Sequence, residues 1–288
     1  MSQSDLPSPE QHKQNLRRDW TEGARAWRKW HPQLTVQGRA ATEAIVQAAG
    51  ARPGMRTLDL ASGTGEPALT LASAVAPGGH VTATDLVPDM LAIAEDNARE
   101  QSLANISFQQ ADPEALPFPD QSFDVVTSRF GVMFFPDIVQ ALREVRRVLK
   151  PGGRAAFVAW GPLEKNPFFG STLGVFLKYV QLPPPPPGAP QPFRFAQAGS
   201  LSGSLRQAGF QQVDEEYRTI PWVWPGSVEQ LWEAARELAA PAFRHVTEAL
   251  PPERRQEVER EVLEAISRHA DGPQVKFSAL IVLASAVR

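Results

Sequence analysis

A chain of 288 residues, 42% of them apolar, is long enough for one large domain or for a core of about 150 residues carrying a cap. Its 29 basic and 32 acidic side chains leave a net charge of −3, which argues against nucleic acid as a partner. Cysteine is absent, which excludes disulfides, thiolate zinc sites and iron–sulfur clusters, and no histidine–carboxylate cluster has metal-ligand spacing.

Residues 1–9 read as a polar tail, without the basic-then-apolar pattern of a signal peptide. A helix is expected from about Glu10 to Trp30, with Trp20, Trp27 and Trp30 along one face. That stripe either packs on a core or forms a lid over a hydrophobic substrate, and a lid must itself pack on something. His31-Pro32 is expected to end this helix, and a second runs from about Gln37 to Ala49.

Pro53-Gly54 turns the chain into a strand at Arg56–Ala61, followed by a helix to about Val75. Further strands are expected at His80–Asp85, Ile106–Gln110, within Ser122–Ser128 and at Arg154–Trp160, separated by helices at Pro88–Glu100 and Asp137–Leu149. Five strands alternating with helices specify a doubly wound α/β sheet with right-handed crossovers. Beyond it lie five consecutive prolines, Pro183–Pro187, expected to act as a stiff spacer. A helix over Gly199–Ala208, a strand over Val213–Val223, a helical stretch over Ser227–Ala270 and a last strand over Lys276–Val287 complete the pattern. The most apolar run, Ala279–Val287, is too short to cross a bilayer, so a soluble, cytoplasmic protein is expected.

The turn after the first strand carries the chemistry. Asp59 sits inside the strand, Gly63 and Gly65 let the backbone approach a ligand, and the following helix offers free N–H donors. Gly63-x-Gly65-x-x-Ala68, with Asp85 placed 20 residues after Gly65, also fits a dinucleotide fingerprint, which keeps a nicotinamide-dependent oxidoreductase as a minor alternative. Asp59 argues against it, because dinucleotide folds keep that strand apolar.

The run Asp59-Leu60-Ala61-Ser62-Gly63-Thr64-Gly65 resembles the first motif of class I S-adenosylmethionine-dependent methyltransferases, closest to the ubiquinone/menaquinone C-methyltransferase branch. The resemblance covers about residues 36–220 and implies a Rossmann-like, mostly parallel seven-stranded sheet. The N-terminal helices fit the helical lid such proteins often carry. The helical stretch before the last strand, where the family has a short hairpin, is expected to form an inserted cap beside the cofactor cleft. The organisation expected is a lid over 1–35, a cofactor-binding core over 36–160, a cap segment with the proline spacer over 161–198, core again over 199–226, the cap insertion over 227–272 and the last strand over 273–288.

By the same resemblance S-adenosylmethionine is the cofactor and a small molecule the partner. Asp59 would position the methionine ammonium through the loop of Ala61, Gly63 and Gly65, with Ala61 standing where a glycine is usual. Asp85 would accept both ribose hydroxyls, and Leu86 and Met90 would flank the adenine. Asp112 would accept the adenine amino group, or it is a plain turn former. Pro113 falls where a backbone N–H usually reaches the purine ring, so Glu114, a water or packing alone must substitute.

Arg129 would fix the cofactor carboxylate or a substrate acid, or make a surface ion pair. Phe130 would offer its π face to the sulfonium. His31 is the candidate catalytic base, against an ordinary helix-end histidine. The seven tryptophans gather in the N-terminal helices and around 222–232, which suggests an apolar or aromatic acceptor bound by Trp27, Trp30, Phe134, Trp222 and Trp224. A non-catalytic protein that binds the cofactor or a partner on the same fold is the alternative from another class.

Overall fold

The computed structural model describes residues 9–181, 186, 188–239 and 246–288. The chain opens with one 41-residue helix, α1 (Pro9–Ala49), and the expected break at His31-Pro32 does not occur. Proline removes one hydrogen bond and crowds the preceding turn at a cost of about 3 kcal/mol. Packing outweighs that here, because Trp30, Ala41, Ile45 and Ala49 from both halves of the helix lie in the main hydrophobic core.

There follow β1 (Arg56–Leu60), α2 (Ala68–Ala74), β2 (His80–Asp85), α3 (Pro88–Glu100), β3 (Ile106–Gln110), β4 (Phe123–Arg129), α4 (Ile138–Val148) and β5 (Leu149–Trp160). Two short helices come next, α5 (Pro167–Ser171) and α6 (Leu173–Phe176), then α7 (Ser200–Gln207) and β6 (Gln211–Trp224). The chain closes with α8 (Val228–Leu238), α9 (Arg255–Ser267), the two-residue β7 (Ala270–Asp271) and β8 (Gln274–Val287). The sheet order is β3-β2-β1-β4-β5-β8-β6, with β7 paired to β8. The first five strands run parallel, and β8 is antiparallel to both β5 and β6. This is the doubly wound, Rossmann-like sheet that the alternation of elements predicts. Of the Pro183–Pro187 spacer only Pro186 lies within the described residues.

Each element has its local reason. The Asp137 carboxylate caps α4 by accepting the Gln140 N–H at 3.0 Å, and Ser227 with Gln230 forms a capping box on α8. Strand β5 ends in a continuous buried apolar run, Ala155–Trp160, as expected of a strand covered on both faces, while β4 buries Val125 and Val126 together with the polar Thr127 and Ser128. Helix α1 packs on β4, β5, β6 and β8 and on α8, while α9 packs on α5 and α6. Lys29 at the middle of α1 reaches Glu233 (2.7 Å) and Glu237 (3.0 Å) of α8, and the Trp30 indole N–H donates to Glu237 at 2.7 Å.

Sheet order reverses between β1 and β4. In open α/β sheets the crevice at the carboxyl ends of the strands beside such a reversal is where ligands bind.

Candidate functional site

A cavity of about 330 Å³ opens at that crevice. Its floor is the turn after β1. Ala61 and Gly63 hold left-handed backbone (φ 53° and 54°), and a Cβ on Gly63 would meet only open space, so the backbone itself faces the cavity. Gly65, at φ 124°, would bring a Cβ within 2.8 Å of Leu69 Cδ1. Ala61 thus tolerates a conformation that favours glycine, at a cost of about 1–2 kcal/mol. The turn is pressed against the chain after β4, where a Cβ on Gly131 would lie 2.4 Å from that of Ala61.

Asp85 ends β2 beside this turn. Its Oδ2 accepts the Gly63 N–H at 2.9 Å and its Oδ1 the Val87 N–H at 3.0 Å, so the carboxylate is held rigid with lone pairs to spare. Burial raises its pKa, and the backbone N–H groups of Gly63, Val87 and Leu86 oppose that rise. Leu86, Met90, Asp112 and Pro113 line the same end. Asp112 is clasped from above: Lys13, near the start of α1, sits 2.7 Å from Asp112 Oδ2 and 2.6 Å from Glu114 Oε2.

Arg129 lies where β4 meets α1. One guanidinium nitrogen donates to Thr42 Oγ1 at 2.7 Å and to the Gly38 carbonyl at 3.3 Å, while the buried Nε has no partner. Glu66 lines the cavity too, so this end presents one positive and one negative group. Asp59 lies behind the wall. It is fully buried, with Oδ1 accepting the Thr127 hydroxyl at 2.6 Å and Oδ2 unpaired. Burial pushes its pKa up to about 7, against the opposing pull of Thr127.

The far wall is aromatic. Phe130, itself at φ 59°, stacks on Trp160 with ring centroids 4.2 Å apart and planes inclined 17°. Trp222 and Phe169 meet Trp160 edge-on at 5.0 and 5.1 Å. Trp20 joins the wall beside Trp27 (5.6 Å) and Phe134 (5.8 Å). The indole N–H groups of Trp27 and Trp222 are buried without acceptors. Unpaired donors in a cavity wall are costly unless a ligand supplies the acceptor.

Three sequence expectations are redirected by this geometry. His31 does not line the cavity: Nδ1 lies 3.0 Å from Thr64 Oγ1 and Nε2 3.3 Å from Thr35 Oγ1, so both ring nitrogens are engaged. Burial and then the charge of Arg129 lower its pKa. Trp30 and Trp224 pack on each other at 5.5 Å, away from the cavity. Arg129 makes no ion pair, on the surface or elsewhere, among the described residues. Lys13, Glu66, Trp160 and Phe169 were missed by sequence reading. They come from four separate segments, and no spacing joins them.

No group of three metal-ligating side chains occurs among the described residues. No helix among them is long and apolar enough to cross a membrane.

The family model described as the ubiE/COQ5 methyltransferase family matches residues 36–180. The chain belongs to that family. Relatives in it include the ubiquinone/menaquinone biosynthesis C-methyltransferases UbiE of Shewanella sediminis, 43% identical over 110 residues, and of Ectopseudomonas mendocina, 46% identical over 110 residues. Each match covers 38% of this chain, and 44% and 43% of the relative, so the chain matches under half the length of these proteins. Among solved structures, Bacillus subtilis YcgJ superposes with a TM-score of 0.55 at 21% identity, over 86% of this chain and 97% of that one. Haemonchus contortus phosphoethanolamine N-methyltransferase 2, bound to phosphomonomethylethanolamine and S-adenosylhomocysteine, does so with a TM-score of 0.57 at 19% identity, over 98% and 60%. These likenesses establish the fold.

The cofactor that ubiE/COQ5 membership brings is S-adenosylmethionine, in place of the nicotinamide alternative. The residues present fit it. A glycine turn with open space above it, a rigid carboxylate at the end of β2 and, in the same cavity lining as Glu66, a buried guanidinium whose Nε has no partner suit a ribose and a zwitterionic amino acid.

Proposed function

We propose that this protein is an S-adenosylmethionine-dependent methyltransferase acting on a small, planar, apolar or aromatic acceptor. One observation carries the reading: a single cavity joins an acid-lined end, at Asp85 and Asp112, to a wall of stacked rings around Trp160. The first end suits a nucleoside, the second a flat apolar molecule. The names of the UbiE relatives favour carbon as the methylated atom and a quinol-type acceptor.

The bound cofactor supplies an electrophilic methyl group on a cationic sulfur. The chain's own residues place it and its acceptor. Asp85 accepts from the ribose hydroxyls, the turn at Gly63 keeps the backbone close, and Arg129 with Glu66 holds the carboxylate and ammonium of the amino-acid end. Phe130 presents a π face where positive charge is held, and the rings of Trp160, Phe169 and Trp222 orient the acceptor and exclude water. No histidine among the described residues lines the cavity, and in this reading positioning carries most of the rate.

Calorimetric titration with S-adenosylmethionine, on the parent protein and on Asp85→Ala, tests the reading. Loss of two charge-assisted hydrogen bonds should weaken binding by at least about 100-fold. A panel of quinols, phenols and amines, scored by methyl incorporation, then identifies the acceptor atom. Cofactor binding without turnover across the panel favours the non-catalytic alternative. Absence of cofactor binding in the parent removes the proposal.

A further inference from the structure

Residue 113 is proline, so the backbone at the adenine end of the cavity has no N–H at that position. The next N–H, that of Glu114, is already spent on Asp112 Oδ1 at 2.9 Å. Yet the outer edge of adenine carries an amino donor beside a ring-nitrogen acceptor. Reading both requires an acceptor and a donor side by side.

Asp112 is the acceptor. Among the described residues each of its oxygens has one partner, Glu114 N–H on Oδ1 and the Lys13 ammonium on Oδ2, and so keeps a second lone-pair direction. The donor stands next to it. Lys13 is gripped by Asp112 and Glu114, has only 16% of its side chain exposed and lines the cavity together with Asp112 and Pro113. An ammonium has three N–H donors, of which these two carboxylates take two.

We propose that Lys13 is a cofactor-binding residue that donates its third hydrogen to the ring nitrogen N1 of adenine, replacing the backbone N–H that Pro113 lacks. Lys13 and Asp112 then form a donor–acceptor pair, with one member on α1 and the other after β3. The inference rests on the S-adenosylmethionine reading above. Two features support it. Burial alone would lower the pKa of Lys13, but the hydrogen bonds and charges of Asp112 and Glu114 outweigh it and hold it above the ordinary lysine range, so the donor stays charged. The side chain is also already ordered by its two ion pairs, so recruiting it costs little further entropy.

The test is calorimetric titration of the full chain with S-adenosylhomocysteine and with its 1-deaza analogue, in which N1 is a C–H. Parent, Lys13→Met and Lys13→Arg proteins are compared. A hydrogen bond from a charged donor predicts that the parent binds the 1-deaza compound about tenfold or more weakly than S-adenosylhomocysteine. Lys13→Met should bind S-adenosylhomocysteine with a similar loss and no longer distinguish the two, while Lys13→Arg keeps the discrimination. Equal affinities in the parent, which need no mutant to fold, overturn the proposal. So does Lys13→Met discriminating as strongly as the parent. If the parent binds neither compound, the cofactor reading itself fails, and the assignment of Lys13 falls with it.

Discussion

Asp59 has no solvent, no cation within ion-pair distance and one unsatisfied oxygen, yet it stands at the C-terminal end of the central strand. Its pKa rises from 3.8 to about 7 in the folded protein because burial penalises the charged form more than the Thr127 hydroxyl favours it. Between pH 4 and 7 the folded state therefore holds more protons at this residue than the unfolded chain. Stability from this group is present at low pH, is lost as pH rises through that window, and levels off above about 7. Asp59→Asn removes the titration while keeping the Thr127 contact. In ligand-free protein at pH 8 the variant should be more stable than the parent, by on the order of 4 kcal/mol, and the gap should close towards pH 4. Thermal melts of both proteins from pH 4 to 8 measure it. A gap independent of pH would place the charge of Asp59 under compensation by Arg129. The same residue explains why the site tolerates an acid in its central strand: the uncharged form is accessible near neutrality, and a bound ammonium would favour the charged one.

Elements differ in how much of them could be read in the chain. The first five strands and the doubly wound sheet they build were legible, because strands alternating regularly with helices favour parallel crossovers. Helix α1 was not. Pro32 is a strong local signal for an ending, and what overrides it is burial of Trp30, Ala41, Ile45 and Ala49 against strands far away in sequence. Pro32 itself is exposed and contributes nothing to that packing. Pro32→Ala should restore the missing backbone hydrogen bond and raise stability by roughly 1–3 kcal/mol, read from denaturant unfolding, with cofactor affinity unchanged. A destabilised variant would mean that the helix needs its proline geometry to fit the sheet. The tryptophan stripe was half legible for a related reason. At about 100° per residue, Trp20 and Trp27 lie about 20° apart on α1 and both face the cavity, whereas Trp30 is turned about 60° further. It meets Trp224 and Glu237 instead. Asp85, Asp112 and the glycine turn could be found because one contiguous motif or strand end carries each. Lys13, Glu66, Trp160 and Phe169 gain meaning only when folding brings them to one cavity.

At the scale of the molecule the sheet divides the work between its two directions. The parallel strands β1, β2 and β3 end in the carboxylates and glycines of the nucleoside side, while β5, β6 and the short helix α5 supply Trp160, Trp222 and Phe169. Strand β4 with the residue after it, and α1, contribute to both, through Arg129 and Phe130 in the one case and Lys13 and Trp27 in the other. This division predicts separable effects. Phe169→Leu keeps much of the volume but deletes the ring that meets Trp160 and Phe193 edge-on at 5.1 Å. An aromatic contact of this kind contributes about 0.5–1.5 kcal/mol beyond its buried area, so the KM for whichever acceptor the panel identifies should rise about 3- to 10-fold. Affinity for S-adenosylhomocysteine, titrated on the same preparation, should stay within about twofold, because residues on independent sites add. The reverse pattern, weakened cofactor binding with an unchanged acceptor KM, would exchange the two ends of the cavity. Loss of both together would mean that the aromatic wall orders the glycine turn through the contact between Ala61 and Gly131, making the sheet one cooperative site rather than two adjoining ones.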